Sequence, residues 1–285
     1  MDGAEVRTTA SWVRHRTVPS AIVILVAVAC GGNSGPDGRS GSPAPSGSSR
    51  SSAAPVARAL DDVCPQAPSV PGLVFPATDG THLFGAVLGH GPVGVVMAND
   101  VPHSLCEEIP ESVFLSHHGF RVLVFDYRGH GESEAGPDRG RLDLDVEGAA
   151  AELRRLGANR VVVLGFYAGG AVALVASLRI DPPVSAVVAV SPAGRRGQFV
   201  NGPYTAPGAL AIAPRVHSPA LFLLVRTDRF VPLSEGRRLY ALTGSDDKRL
   251  AVFPYGGGGL VLFDLSTFAD RANAAVVGFI RAHTA

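Results

Sequence analysis

Residues 161–174, VVVLGFYAGGAVAL, constrain the fold of this chain more than any other stretch. Val161, Val162, Val163 and Leu164 form a short continuous apolar run, the pattern of a buried strand. Gly165 and Gly169 flank a tight turn, and residues 170–178 continue as a helix of small side chains. Glycine on both sides lets strand and helix approach closely and holds the central residue, Tyr167, in a strained turn. A buried strand running straight into a packed helix needs further strands and helices to cover it, so this stretch places the chain among layered α/β architectures.

The flanking sequence supplies those elements. Residues 73–77 and 82–88, separated by Thr78-Asp79-Gly80-Thr81, read as a hairpin, because Asp-Gly between apolar runs favours a tight turn. Strands follow at 94–98, 121–126, 161–164, 186–190, 221–225 and 249–253. Helices are expected at 105–118, 142–156, 170–178 and 233–242, and a terminal helix carries Phe268, Ala272, Val276, Phe279 and Ile280 on one face. Alternation of strand and helix from Gly94 onward predicts a mainly parallel sheet of about eight strands with helices on both faces and an antiparallel N-terminal hairpin. Only about 30 residues separate the strands at Ala186 and Leu221, too few for a lid domain.

The N-terminal part has a different character. Arg7, Arg14 and Arg16 precede the apolar run AIVILVAVA at residues 21–29, about half the ~20 residues a spanning helix needs. This is the pattern of a secretory signal over residues 1–30. Cys30, preceded by Ala29 and followed by Gly31-Gly32, resembles a bacterial lipobox, with Ala27 where Leu is usual. The expectation is an exported protein held at the membrane surface by lipid on Cys30, or, alternatively, a secreted one. Residues 31–60 are rich in Gly, Ser, Pro and Ala and read as a flexible linker. The folded domain is expected over 61–285, roughly 225 residues, which suits one domain. An exported domain tolerates disulfides, and Cys64 and Cys106 are either bonded or two separately buried thiols. The 25 basic and 25 acidic residues give no net charge and no basic stripe, which argues against nucleic acid as a partner.

Across residues 70–283 the chain resembles the α/β-hydrolases, particularly small lidless ones. Four segments carry the resemblance. FDYRGHGES at residues 125–133 is similar to a structural turn of that family, with Gly129 and Gly131 at positive φ and Asp126 and Arg128 pinning the loop. The elbow Gly165-Phe166-Tyr167-Ala168-Gly169 matches the family's G-x-S-x-G, with Tyr167 at the nucleophile position. Asp228, followed by Val231-Pro232, matches the acid position. The family's histidine is missing: Gly258 or a neighbour stands there, within Gly256-Gly257-Gly258-Gly259. The resemblance places the oxyanion donors at the Ala168 backbone and the loop Asn99-Asp100. Asp100 either points into the site, where its charge would oppose an oxyanion, or faces solvent.

The resemblance therefore implies a hydrolase fold that has lost serine-hydrolase chemistry and binds a small apolar or ester-like ligand or a partner. The alternative is a weak esterase acting on a small ester or amide through Tyr167, His103 or Ser191. Tyr167 and Gly258 change volume in opposite senses, so the tyrosine ring is expected in the space of the absent imidazole, with its hydroxyl toward Asp228. No metal-ligand spacing, dinucleotide fingerprint or P-loop occurs, so no cofactor is expected.

Overall fold

The computed structural model describes residues 55–101, 103–195, 208–264 and 266–285. The signal-like run, Cys30 and the linker up to residue 54 lie outside the described residues. Eight strands are present among those described: β1 (Gly72–Pro76), β2 (His82–Leu88), β3 (Val93–Ala98), β4 (Arg121–Phe125), β5 (Arg160–Phe166), β6 (Ala186–Val190), β7 (Ala220–Val225) and β8 (Lys248–Phe253). The helices are α1 (Leu60–Val63), α2 (Ile109–His117), α3 (Leu142–Arg155), α4 (Ala168–Ala176), α5 (Ala209–Ile212), α6 (Leu233–Leu242), α7 (Val261–Asp264) and α8 (Ala269–Thr284). The strands form one sheet in the order β1-β2-β4-β3-β5-β6-β7-β8. β2 runs antiparallel to both β1 and β4, and the other pairs are parallel.

The continuous apolar strands are explained by burial on both faces. In β5, Val161 and Val163 pack in one apolar layer with α3 and α4, while Val162, Leu164 and Phe166 pack in the other with α2 and α8. The same division runs through β6, with Val187 and Ala189 on one side and Ala186, Val188 and Val190 on the other.

Two differences from the sequence reading have local causes. The fold begins before residue 61: Ala59 bridges Pro71, and Leu60, at the start of α1, is fully buried. A single leucine in a polar, alanine-rich run carries no periodic signal. The helix expected at 105–118 is divided into a 3₁₀ turn, Leu105–Glu108, and α2. Ser104 and Glu107 cap the turn reciprocally, and Pro110, with no N–H to donate, suits the first turn of α2. Cys64 and Cys106 are bonded, with Cα atoms 5.5 Å apart, and join the chain after α1 to this turn.

The turn after β4 acts as a structural clamp. The side chain of Arg128 is fully buried and pairs with Asp145 of α3 and Asp79 of the hairpin turn, each at 2.7 Å. Asp126 accepts the Leu105 N–H at 2.8 Å and the Glu132 N–H at 3.0 Å, which ties the ends of β3 and β4 together.

Candidate functional site

The site lies at the C-terminal edge of the sheet, where β5, β6, β7 and β8 end. β5 finishes at Phe166 and α4 starts at Ala168, so one residue makes the turn. That residue, Tyr167, has φ 45° and ψ −110°. The close approach is enforced by contact: a Cβ on Gly165 would stand 2.3 Å from the Gly169 carbonyl oxygen, and one on Gly169 would stand 2.0 Å from that of Ala98. The Tyr167 N–H donates to Val190 of the neighbouring strand at 3.0 Å.

Tyr167 is nearly buried, with 9% of its surface exposed. Its hydroxyl donates to Oδ1 of Asp228 at 3.4 Å, at the long end of hydrogen-bond range. Phe230 packs edge-on against its ring, with centroids 5.6 Å apart. Burial pushes the Tyr167 phenol far above its ordinary range, and the charges of Asp228 and Asp100 push it further. The phenolate, the nucleophilic form, is therefore strongly disfavoured.

Asp228 sits in the loop after β7. Its Oδ1 also accepts the N–H groups of Phe230 at 2.8 Å and Val231 at 3.1 Å. Its Oδ2 is buried and has no hydrogen-bond partner. A Cβ on Gly258 would stand 1.8 Å from that oxygen and 2.6 Å from Oγ of Ser191. A Cβ on Gly259, at φ +56°, would stand 2.2 Å from Cε2 of Tyr167. The glycine loop thus lies with bare backbone on the tyrosine ring and on the carboxylate. In this arrangement neither position has room for a side chain.

Asp100 points into the site. Its Oδ1 accepts the Ala168 N–H at 3.2 Å and the Val101 N–H at 2.9 Å. The backbone donor expected to face an oxyanion is therefore occupied by the chain's own carboxylate. Burial raises the Asp100 pKa to about 6, against the opposing pull of the Ala168 hydrogen bond. The Asp100 N–H donates to Glu108 Oε1 at 3.4 Å, and burial pushes the fully buried Glu108 well above the usual carboxylate range. Asn99 is fully buried, and its amide donates to the His103 carbonyl at 3.4 Å. His103 itself is exposed.

Ser191, named from sequence only for the alternative esterase reading, follows β6 as Tyr167 follows β5. It shares the same strained φ of 45°, and its buried Oγ has no hydrogen-bond partner. Only the pairing of Phe166 with Val190 brings the two turns side by side, and that pairing is invisible to a reading of one strand at a time. The signal available for Gly259 is the four-glycine run itself, in which Gly258 or a neighbour stands at the histidine position. A cleft of about 720 Å³ lies beside the disulfide between residues 64–68 and α2, and contains none of these residues. Among the described residues no cluster of three or more His, Cys, Asp or Glu side chains could hold a metal ion.

A family model described as alpha/beta hydrolase fold matches residues 101–215. The uncharacterized protein YfhR of Escherichia coli (strain K12) is 25% identical over 225 residues, covering 71% of this chain and 76% of YfhR. An uncharacterized protein of Mycobacterium tuberculosis (strain H37Rv) is 30% identical over 198 residues, 64% of this chain and 66% of its own length. Among solved structures, an esterase of Pyrococcus furiosus superposes with a TM-score of 0.65 at 21% identity, covering 75% of this chain and 91% of the esterase. The enol-lactonase from Burkholderia xenovorans gives a TM-score of 0.58, also at 21% identity, over 73% of this chain and 99% of the lactonase.

Proposed function

Given that this chain belongs by fold to the α/β-hydrolase superfamily, we propose that it is a member without serine-hydrolase activity, exported and held at a membrane surface by lipid on Cys30. The observation that carries the loss of activity is the contact between Tyr167 and Asp228. Acyl transfer in this fold needs a nucleophile, a base near neutral pH beside it, and free donors for the developing oxyanion. Here a phenol of raised pKa stands at the nucleophile position and hydrogen-bonds the acid directly. Glycine backbone fills the base position, and Asp100 occupies the Ala168 donor. With Tyr167 nearly buried, the remnant site serves as packing, and any ligand or partner is recognised elsewhere.

A second reading has its own observation. Ser191 is a strained serine whose hydroxyl faces the same point as the unpartnered oxygen of Asp228. Backbone strain of this kind concentrates at functional sites. This reading makes the protein a weak esterase acting through Ser191.

Hydrolysis of short-chain p-nitrophenyl esters separates the two. The first reading expects the wild-type rate to equal that of Tyr167→Phe and of buffer with an inert protein. A rate well above that background that vanishes in Ser191→Ala establishes the second.

A further inference from the structure

The loops that close the site present an unusual outer surface. Of the five large apolar side chains most exposed in the described residues, three lie here: Phe230 at 60%, Tyr255 at 57% and Val261 at 43%. The loops are held together, since Thr227 Oγ1 donates to the Gly256 carbonyl at 3.1 Å and the Arg226 N–H donates to Phe253 at 2.9 Å. Arg226 and Arg229, which bracket this stretch on the Phe230 side, are exposed and pair with no carboxylate among the described residues. Two acids lie in or beside these loops: Asp228 is turned inward, its Oδ1 accepting the Phe230 and Val231 N–H groups, and the exposed Asp264 stands one turn along the four-residue α7 from Val261.

We propose that residues 226–230 and 255–261 form a lipid-docking surface that rests on an anionic bilayer. Exposed aromatic and aliphatic side chains enter the headgroup region, and unpaired arginines answer anionic lipid, each contributing about fivefold in affinity. No helix among the described residues is long and apolar enough to cross a membrane. The surface does not depend on the anchored reading of the N-terminus.

The test uses the full chain carrying Cys30→Ser, so that no acyl chain contributes to binding. Its partition is measured by co-sedimentation with vesicles of phosphatidylcholine alone and with roughly one-third phosphatidylglycerol. The expected result is preferential binding to the anionic vesicles, weakened by salt and reduced about tenfold or more in Arg226→Glu/Arg229→Glu. Tyr255→Ser/Val261→Ser is expected to reduce binding at unchanged charge, with thermal melts checking that each variant is folded. Equal partition onto both vesicle types, or variants that bind as the parent does, would overturn the proposal. So would hydrogen-exchange protection of these loops by a protein partner in the absence of lipid. The acylated chain, assayed in parallel, reports on the anchor separately.

Discussion

Replacing Asp100 by Asn is expected to raise the melting temperature at pH 8 by about 3–8 °C, a gain that fades as the pH is lowered toward 4. The sign follows from proton linkage. In the folded chain burial raises the Asp100 pKa from 3.8 to about 6. Between those values the folded state holds a proton that the unfolded state has released, so stability falls as pH rises through this window and remains lower above it. A shift of about two units corresponds to about 3 kcal/mol at most, and partial exposure of Asp100 reduces the realised effect to roughly 1–2 kcal/mol. Asn removes the charge while its carbonyl oxygen still accepts the N–H groups of Ala168 and Val101. It also removes repulsion from the neighbouring buried Glu108. Thermal melts of both chains at pH 8, 6 and about 4 test the prediction. A lower melting temperature for Asp100→Asn at pH 8 would mean that attraction between the carboxylate and the N-terminus of α4 outweighs the cost of burial.

The second large effect concerns the tyrosine and the glycine loop. Gly258→His alone is expected to destabilise the fold by about 4 kcal/mol or more, because its Cβ would overlap Oδ2 of Asp228. Tyr167→Ser alone is expected to cost about 3–5 kcal/mol, since it removes a packed ring and leaves Gly259 lying over a void. Combined, the two changes should cost less than their sum by about 1–3 kcal/mol, because the vacated ring volume gives the loop room to recede from Asp228. Urea denaturation of the wild type, both single variants and the double variant closes this cycle. Strict additivity would show that the ring and the loop are not mutually adapted.

The legibility of this chain from sequence divides along a physical line. The sheet and its helices follow from local patterns, because runs such as the valines of β5 can be stable only when covered on both faces. The elbow was equally visible as a glycine-flanked turn: Gly165 is dictated by backbone contact with Gly169 four residues on, whereas the contact that dictates Gly169, with the Ala98 carbonyl, is remote in sequence. The Asp126–Ser133 turn announced itself through its glycines, although its partners Asp79 and Asp145 are visible only in three dimensions. What the sequence left open depends on non-local geometry. Whether Asp100 faced the site or solvent was settled by packing of the β3 loop against the first turn of α4. The strain at Ser191 and the fit of Gly259 to the tyrosine ring arise where segments remote in sequence meet. Leu60 escaped notice because one buried residue makes no period.

The central claim is that Tyr167, Gly258 and Asp100 together close the site to acyl-transfer chemistry. The most direct measurement is intact-mass analysis after prolonged exposure of the wild-type protein to an alkyl fluorophosphonate, which phosphonylates activated hydroxyl groups. The account predicts an unchanged mass, with the Tyr167 phenol protonated and Ser191 without a base. A stoichiometric adduct, mapped by peptide sequencing to Tyr167, Ser191 or any other residue of the site, would contradict it.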